Sequence, residues 1–113
     1  MSKHHLGEFE EIVMLTVAIL HDEAYGIAII EEMESRLGRK VSIGALQTVL
    51  RRLENKGYLS SRFGEATKVR GGKRKRIYNI TQEGQAVLRE MKDIRAALWD
   101  SIALSEKPFH AFV

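Results

Sequence analysis

Residues 42–57 read Ser-Ile-Gly-Ala-Leu-Gln-Thr-Val-Leu-Arg-Arg-Leu-Glu-Asn-Lys-Gly, and this stretch decides the fold. Ser42 offers a side-chain oxygen to the free N–H groups of a helix starting behind it, and Gly57 stands where a helix running to about Lys56 would stop. On a 3.6-residue wheel Ala45, Leu46, Val49, Leu50 and Leu53 share one arc, while Gly44, Gln47, Thr48, Arg51 and Asn55 fall opposite. One face packs. The other is small, uncharged or cationic, and able to donate and accept hydrogen bonds, as a helix reading base edges in a major groove must be. Taken alone, such a face is equally that of any solvated amphipathic helix.

Working upstream, Ile27, Ile30, Met33 and Leu37 recur at helical spacing from about Tyr25-Gly26 to a stop at Gly38, after a polar turn at residues 21–24. A first helix from about Glu8 to His21 opens with Glu8, Glu10 and Glu11, suited to the positive end of a helix dipole. Its apolar residues go nearly all the way round, which predicts burial on several sides and hints at a partner subunit. Downstream, residues 58–63 and 75–80 are rich in β-formers and flank a Gly-rich basic loop, predicting a hairpin. Thr81 then caps a last helix from Gln82 to about Leu104, before Pro108. The expected fold is mainly α with a small β-hairpin: a winged helix-turn-helix over residues 1–81, a C-terminal dimerisation helix over 82–104 and a tail over 105–113.

The formal net charge of +3 conceals a segregation of charge. Residues 36–76 hold thirteen Lys or Arg against two acids, Glu54 and Glu65, whereas the rest holds five basic residues against thirteen acids. A positive field over one part of a small domain attracts polyanions, with nucleic acid the first candidate. Lys68, Arg70, Lys73, Arg74, Lys75 and Arg76 surround Gly71 and Gly72 on the hairpin tip, where mutual repulsion would be relieved by phosphate. A reading helix followed by such a wing separates the work: phosphate contacts position, base contacts specify.

In the last helix Val87, Met91, Ile94, Leu98 and Ile102 form one stripe with Leu88 and Trp99 at its edge, spaced like a coiled-coil seam. Together with Phe9 and Val13 of the first helix they are the expected dimer interface. Two-fold pairing would set two reading helices about one DNA turn, ~34 Å, apart over a palindrome.

A 44% hydrophobic and 29% charged chain of 113 residues is an ordinary globular domain. The absence of cysteine removes disulfides and thiolate zinc sites and favours a cytoplasmic location. The longest apolar stretch, residues 12–20, is too short to span a bilayer. His4, His5, His21 and His110 are scattered, and no phosphate loop, nucleophile elbow or carboxylate pair is visible. Neither an enzyme nor a metal or cofactor is expected.

The opening LGEFEE, the turn EAYG, the Ser42-Ile43-Gly44-Ala45-Leu46 helix start, and the wing RGGKRKRIY leading to Thr81-x-x-Gly84 together resemble the PadR family of bacterial transcriptional repressors, from about Leu6 to Met91. The resemblance implies a homodimer on double-stranded operator DNA, its C-terminal helix crossing the two-fold axis to the partner's first helix. Ser42, Gly44, Gln47, Thr48 and Arg51 match the DNA-facing part of the family's reading helix. Gln47 departs from the aromatic residue usual there, and its amide suits adenine instead. Some short-form relatives bind flat aromatic compounds using a tryptophan of the last helix. By that likeness Trp99, Leu88 and Arg95 would line a pocket for a hydrophobic effector.

Overall fold

The computed structural model describes residues 6–64 and 74–104. In chain order these form helix α1 (Glu8–Leu20), a 3-10 turn (His21–Glu23), α2 (Gly26–Leu37), α3 (Ile43–Asn55), strand β1 (Leu59–Phe63), strand β2 (Arg76–Ile80) and α4 (Gln82–Ala103). This is a winged helix-turn-helix with a trailing helix, and each boundary lies within one residue of its expected place. The terminal residues 1–5 and 105–113 and the hairpin tip, with Lys68, Arg70 and Lys73, lie outside the described residues.

The inner face of α3 builds the core. Leu46, Leu50 and Leu53 meet Val13, Met14 and Val17 of α1, Ile29 and Met33 of α2 and Val87 of α4, all at most 1% exposed. Burial of each such side chain stabilises the fold by about 1.5–3 kcal/mol. Gly57 ends α3 with φ 83°, while the Gly57 N–H donates to Glu54 O and the Tyr58 N–H to Leu53 O. That paired closure satisfies the last carbonyls of the helix and turns the chain sharply into β1.

Strands β1 and β2 pair antiparallel, Leu59 opposite Ile80 and Phe63 opposite Arg76. Tyr25 bridges to Ile77, and the Tyr78 N–H donates to Ala24 O at 2.9 Å. The segment expected to be only a polar turn therefore also ties the wing to the start of α2, and its Ala24 is fully buried.

Helix α1 divides its apolar surface unevenly. The domain itself buries Val13, Met14 and Val17, whereas Leu15 and Ile19 are 45% and 51% exposed. Val13 is therefore core and cannot meet a partner, and Phe9 is half-buried against the same core. An all-round apolar helix did not indicate which side the domain would claim. The outward face is the one bearing Leu15 and Ile19.

The root of α4 is bolted to the α3–β1 turn. Thr81 Oγ1 accepts from the Gly84 N–H at 3.0 Å and donates to Gly57 O at 2.6 Å, while the Thr81 N–H donates to Tyr58 O at 3.1 Å. Val87, expected in the dimer seam, is fully buried in the domain core, and Met91 is half-buried beside it. Beyond that point the helix stands out: Ile94, Leu98 and Trp99 are 48%, 64% and 61% exposed, and Ile102 is half-buried.

Candidate nucleic-acid interface

Helix α3 begins cleanly because Ser42 Oγ accepts from the Ala45 N–H at 3.1 Å. Ser42, Gly44, Gln47, Thr48, Arg51 and Asn55 are all exposed, so the six residues assigned to the reading face share one open surface. Thr48 Oγ1 donates back to Gly44 O at 3.0 Å, so its hydrogen is used within the helix and its oxygen keeps the capacity to accept. Nothing lies within 4 Å of where a Cβ would stand on Gly44, so the backbone there is open to close approach. Ala45, placed by the wheel in the packed arc, is exposed together with Ile43. The first turn of α3 projects past the helices that cover its later turns.

Gln47 and Arg51 line a groove shared with Ile27 and Ile43 on one side and Lys75 and Arg76 of the wing on the other. Lys75 Nζ lies 4.0 Å from the centre of the Tyr25 ring, a cation–π contact that steadies the cation at the groove's edge. Arg76, expected to reach out to DNA backbone, is instead held along the hairpin. It donates to Ser61 Oγ at 3.0 Å, stacks on Phe63 and stands 3.8 Å from Glu54, which itself accepts from Ser61. Tyr78 also lines the groove, and burial, then the Glu54 charge, raise the pKa of its hydroxyl above the ordinary tyrosine value.

Several other cations of the basic segment also have local partners. Arg62 lies 3.9 Å from Asp22, Arg39 lies 3.2 Å from Glu8, and Arg36 pairs with Glu32 one turn away. These pairs are solvent-exposed and contribute little to stability, so their cations can still face a polyanion. Arg52 and Lys56 are different: both converge on the buried carboxylate of Glu10, at 3.7 and 3.1 Å. Arg51 and Arg74 are exposed and hold no ion pair to any described residue. Charge counting could not show which cations the fold had already engaged.

Of the three residues assigned to an effector pocket, two come together and the third does not. Leu88 and Arg95 line a groove between α1 and α4 with Leu15, Ala18 and Ile80, and Arg95 donates to Glu11 at 2.6 Å. Trp99 lies one turn further along α4, outside that groove. Leu15 and Glu11 were not foreseen there. Only the exposed side of an otherwise buried helix reveals them. Among the described residues no cluster of three or more His, Cys, Asp or Glu could hold a metal ion, and no helix is long and apolar enough to cross a membrane.

An exposed polar helix face beside a basic hairpin, carried on a three-helix core, defines a winged helix-turn-helix regulator of the DNA-binding kind. The chain belongs to the PadR-like family of transcriptional regulators, whose family model matches residues 14–90. Members are transcription factors, not enzymes; they bind DNA and typically dimerise. Among solved structures it is similar to a PadR-like transcription factor from Bacteroides fragilis, at 32% identity, covering 84% of this chain and 86% of that one with a TM-score of 0.67. A PadR family regulator from Eggerthella lenta is 31% identical, covering 85% of this chain and 83% of that one, with a TM-score of 0.63. A PadR family regulator from Clostridium difficile, 23% identical over 85% of this chain and 96% of that one with a TM-score of 0.62, shares the fold. A comparison with curated proteins returns no match.

Proposed function

We propose that this chain is a cytoplasmic repressor that binds a palindromic operator as a homodimer. The observation that carries this reading is the alignment of Gln47 and Arg51 in one groove with the wing cation Lys75. On this reading Gln47, Thr48, Arg51 and Asn55 contact bases, Ser42 and Gly44 approach the backbone, and Arg74 and Lys75, with Lys68, Arg70 and Lys73 of the tip, contact phosphates. Arg76 acts chiefly by holding the wing against α3. Residues 1–81 form the reading head and residues 82–104 the dimerisation helix, whose partner-facing surface is the stripe of exposed Ile94 and Leu98 and half-buried Ile102 with Leu15 and Ile19 of α1. A hydrophobic effector would act by favouring one spacing of the two heads over another, and the α1–α4 groove is where it has apolar wall to contact.

The test is selection of bound duplexes from a random library at near-physiological salt. A palindrome with half-sites about 10 base pairs apart is the expected product. On the selected duplex Arg51→Ala is expected to lose about tenfold in affinity with little change on random DNA. Arg74→Ala should weaken both alike and lower the salt slope by about one. Recovery of no enriched sequence by a folded dimer would instead favour a winged-helix module that binds a protein or small ligand.

A further inference from the structure

Four aliphatic side chains of α3, Leu46, Val49, Leu50 and Leu53, are between 0% and 7% exposed, whereas Ile43 is 44% exposed. Ile43 is the first residue of the helix, directly after the Ser42 cap. It falls four and eight residues before Gln47 and Arg51, so the three side chains make one row along the helix and line the same groove. The N-terminal residues of a reading helix contact base edges. Of the features that distinguish one base edge from another in the major groove, only the 5-methyl group of thymine is apolar.

We propose that Ile43 reads a thymine 5-methyl group, making the row Ile43, Gln47, Arg51 an ordered set of apolar, amide and guanidinium readers. This rests on the DNA-reading role proposed above and assigns it a further specificity residue. The side chain is positioned for the task. A Cβ added to Gly26 would stand 3.5 Å from Ile43 Cδ1, so the isoleucine rests beside the bare backbone at the start of α2. Its β-branch leaves little freedom at χ1, so little side-chain entropy is lost on contact. Gly44 follows with open space around it, leaving no bulk between Ile43 and a base edge.

The test replaces thymines of one selected half-site by deoxyuridine, one at a time, which removes a single methyl group and no hydrogen-bonding atom. Dissociation constants are measured at fixed salt for the wild type, Ile43→Val and Ile43→Ala. One thymine position is expected to weaken wild-type binding about fourfold when demethylated, the factor that burying one methyl group gives. That sensitivity should shrink in Ile43→Val and vanish in Ile43→Ala, while any other methyl-sensitive positions keep theirs. A specific duplex whose methyl sensitivity is indifferent to residue 43 overturns the thymine assignment alone. Failure to select any specific duplex overturns it together with the reading on which it rests.

Discussion

Replacing Gly84 by alanine is expected to destabilise the folded protein by about 3 kcal/mol, at the upper end of what overpacking costs. A Cβ built on Gly84 would stand 2.2 Å from Tyr58 O and 3.0 Å from Ile80 Cγ2. The first of these is backbone, held by the Thr81 N–H and by the closure of α3, and so it cannot swing aside as a side chain would. Relief requires lifting the root of α4 off the α3–β1 turn, which also stretches the Thr81–Gly57 hydrogen bond. Urea unfolding should show the midpoint falling with little change in slope. A variant within 1 kcal/mol of wild type would mean that α4 leaves the domain more flexibly than this contact implies.

The next largest effect is expected at Glu10. The residue is 7% exposed, and its carboxylate accepts from the Gly7 N–H at 2.9 Å at the head of α1 and receives Lys56 and Arg52 from the end of α3. Burial pushes its pKa up, but the Gly7 hydrogen bond, Lys56 and Arg52 together outweigh this and hold it below the ordinary carboxylate range. Glu10→Ala should cost about 2 kcal/mol, less than the loss of a fully buried pair because both cations can return to water. The sign of the pH dependence follows from the lowered pKa. The contribution is complete above the pKa of the unfolded chain and is lost as pH falls from there through the lower folded value. Glu10→Gln should therefore remove part of the acid limb of the stability curve while sparing the Gly7 contact, and parallel acid limbs would rule out this role.

The sequence made the order of elements legible because each signal was local. Ser42 and Thr81 cap as their side-chain chemistry requires, and Gly57 closes α3 through a positive φ. The exposed polar face of α3 was legible for the same reason, since Gln47, Thr48 and Arg51 lie opposite the leucines whatever surrounds the helix. What escaped was tertiary. A wheel does not record how far α2 reaches, and so Ala45 was assigned to the core. Spacing in the last helix could not separate Val87, which the domain claims, from Leu98, which it leaves bare. The engagement of Arg76 by Glu54 and Ser61 depends on the hairpin's register against α3, and no residue pattern within either element encodes it.

On the dimeric reading, the exposed outer half of α4 sets how the protein responds to its own abundance. Ile94, Leu98 and Trp99 stand 48%, 64% and 61% exposed in a single copy, so on the dimeric reading the outer half of α4 gains stability when a second copy covers it, and its ordering is linked to assembly. At low expression the amount of competent regulator then rises with the square of chain concentration, and the response of a target promoter becomes steeper than a monomer could make it. A cell that halves synthesis of this chain in that regime would cut the active form about fourfold by mass action. On the dimeric reading the exposed hydrophobic stripe is in that sense a dosage threshold written into the surface of one helix.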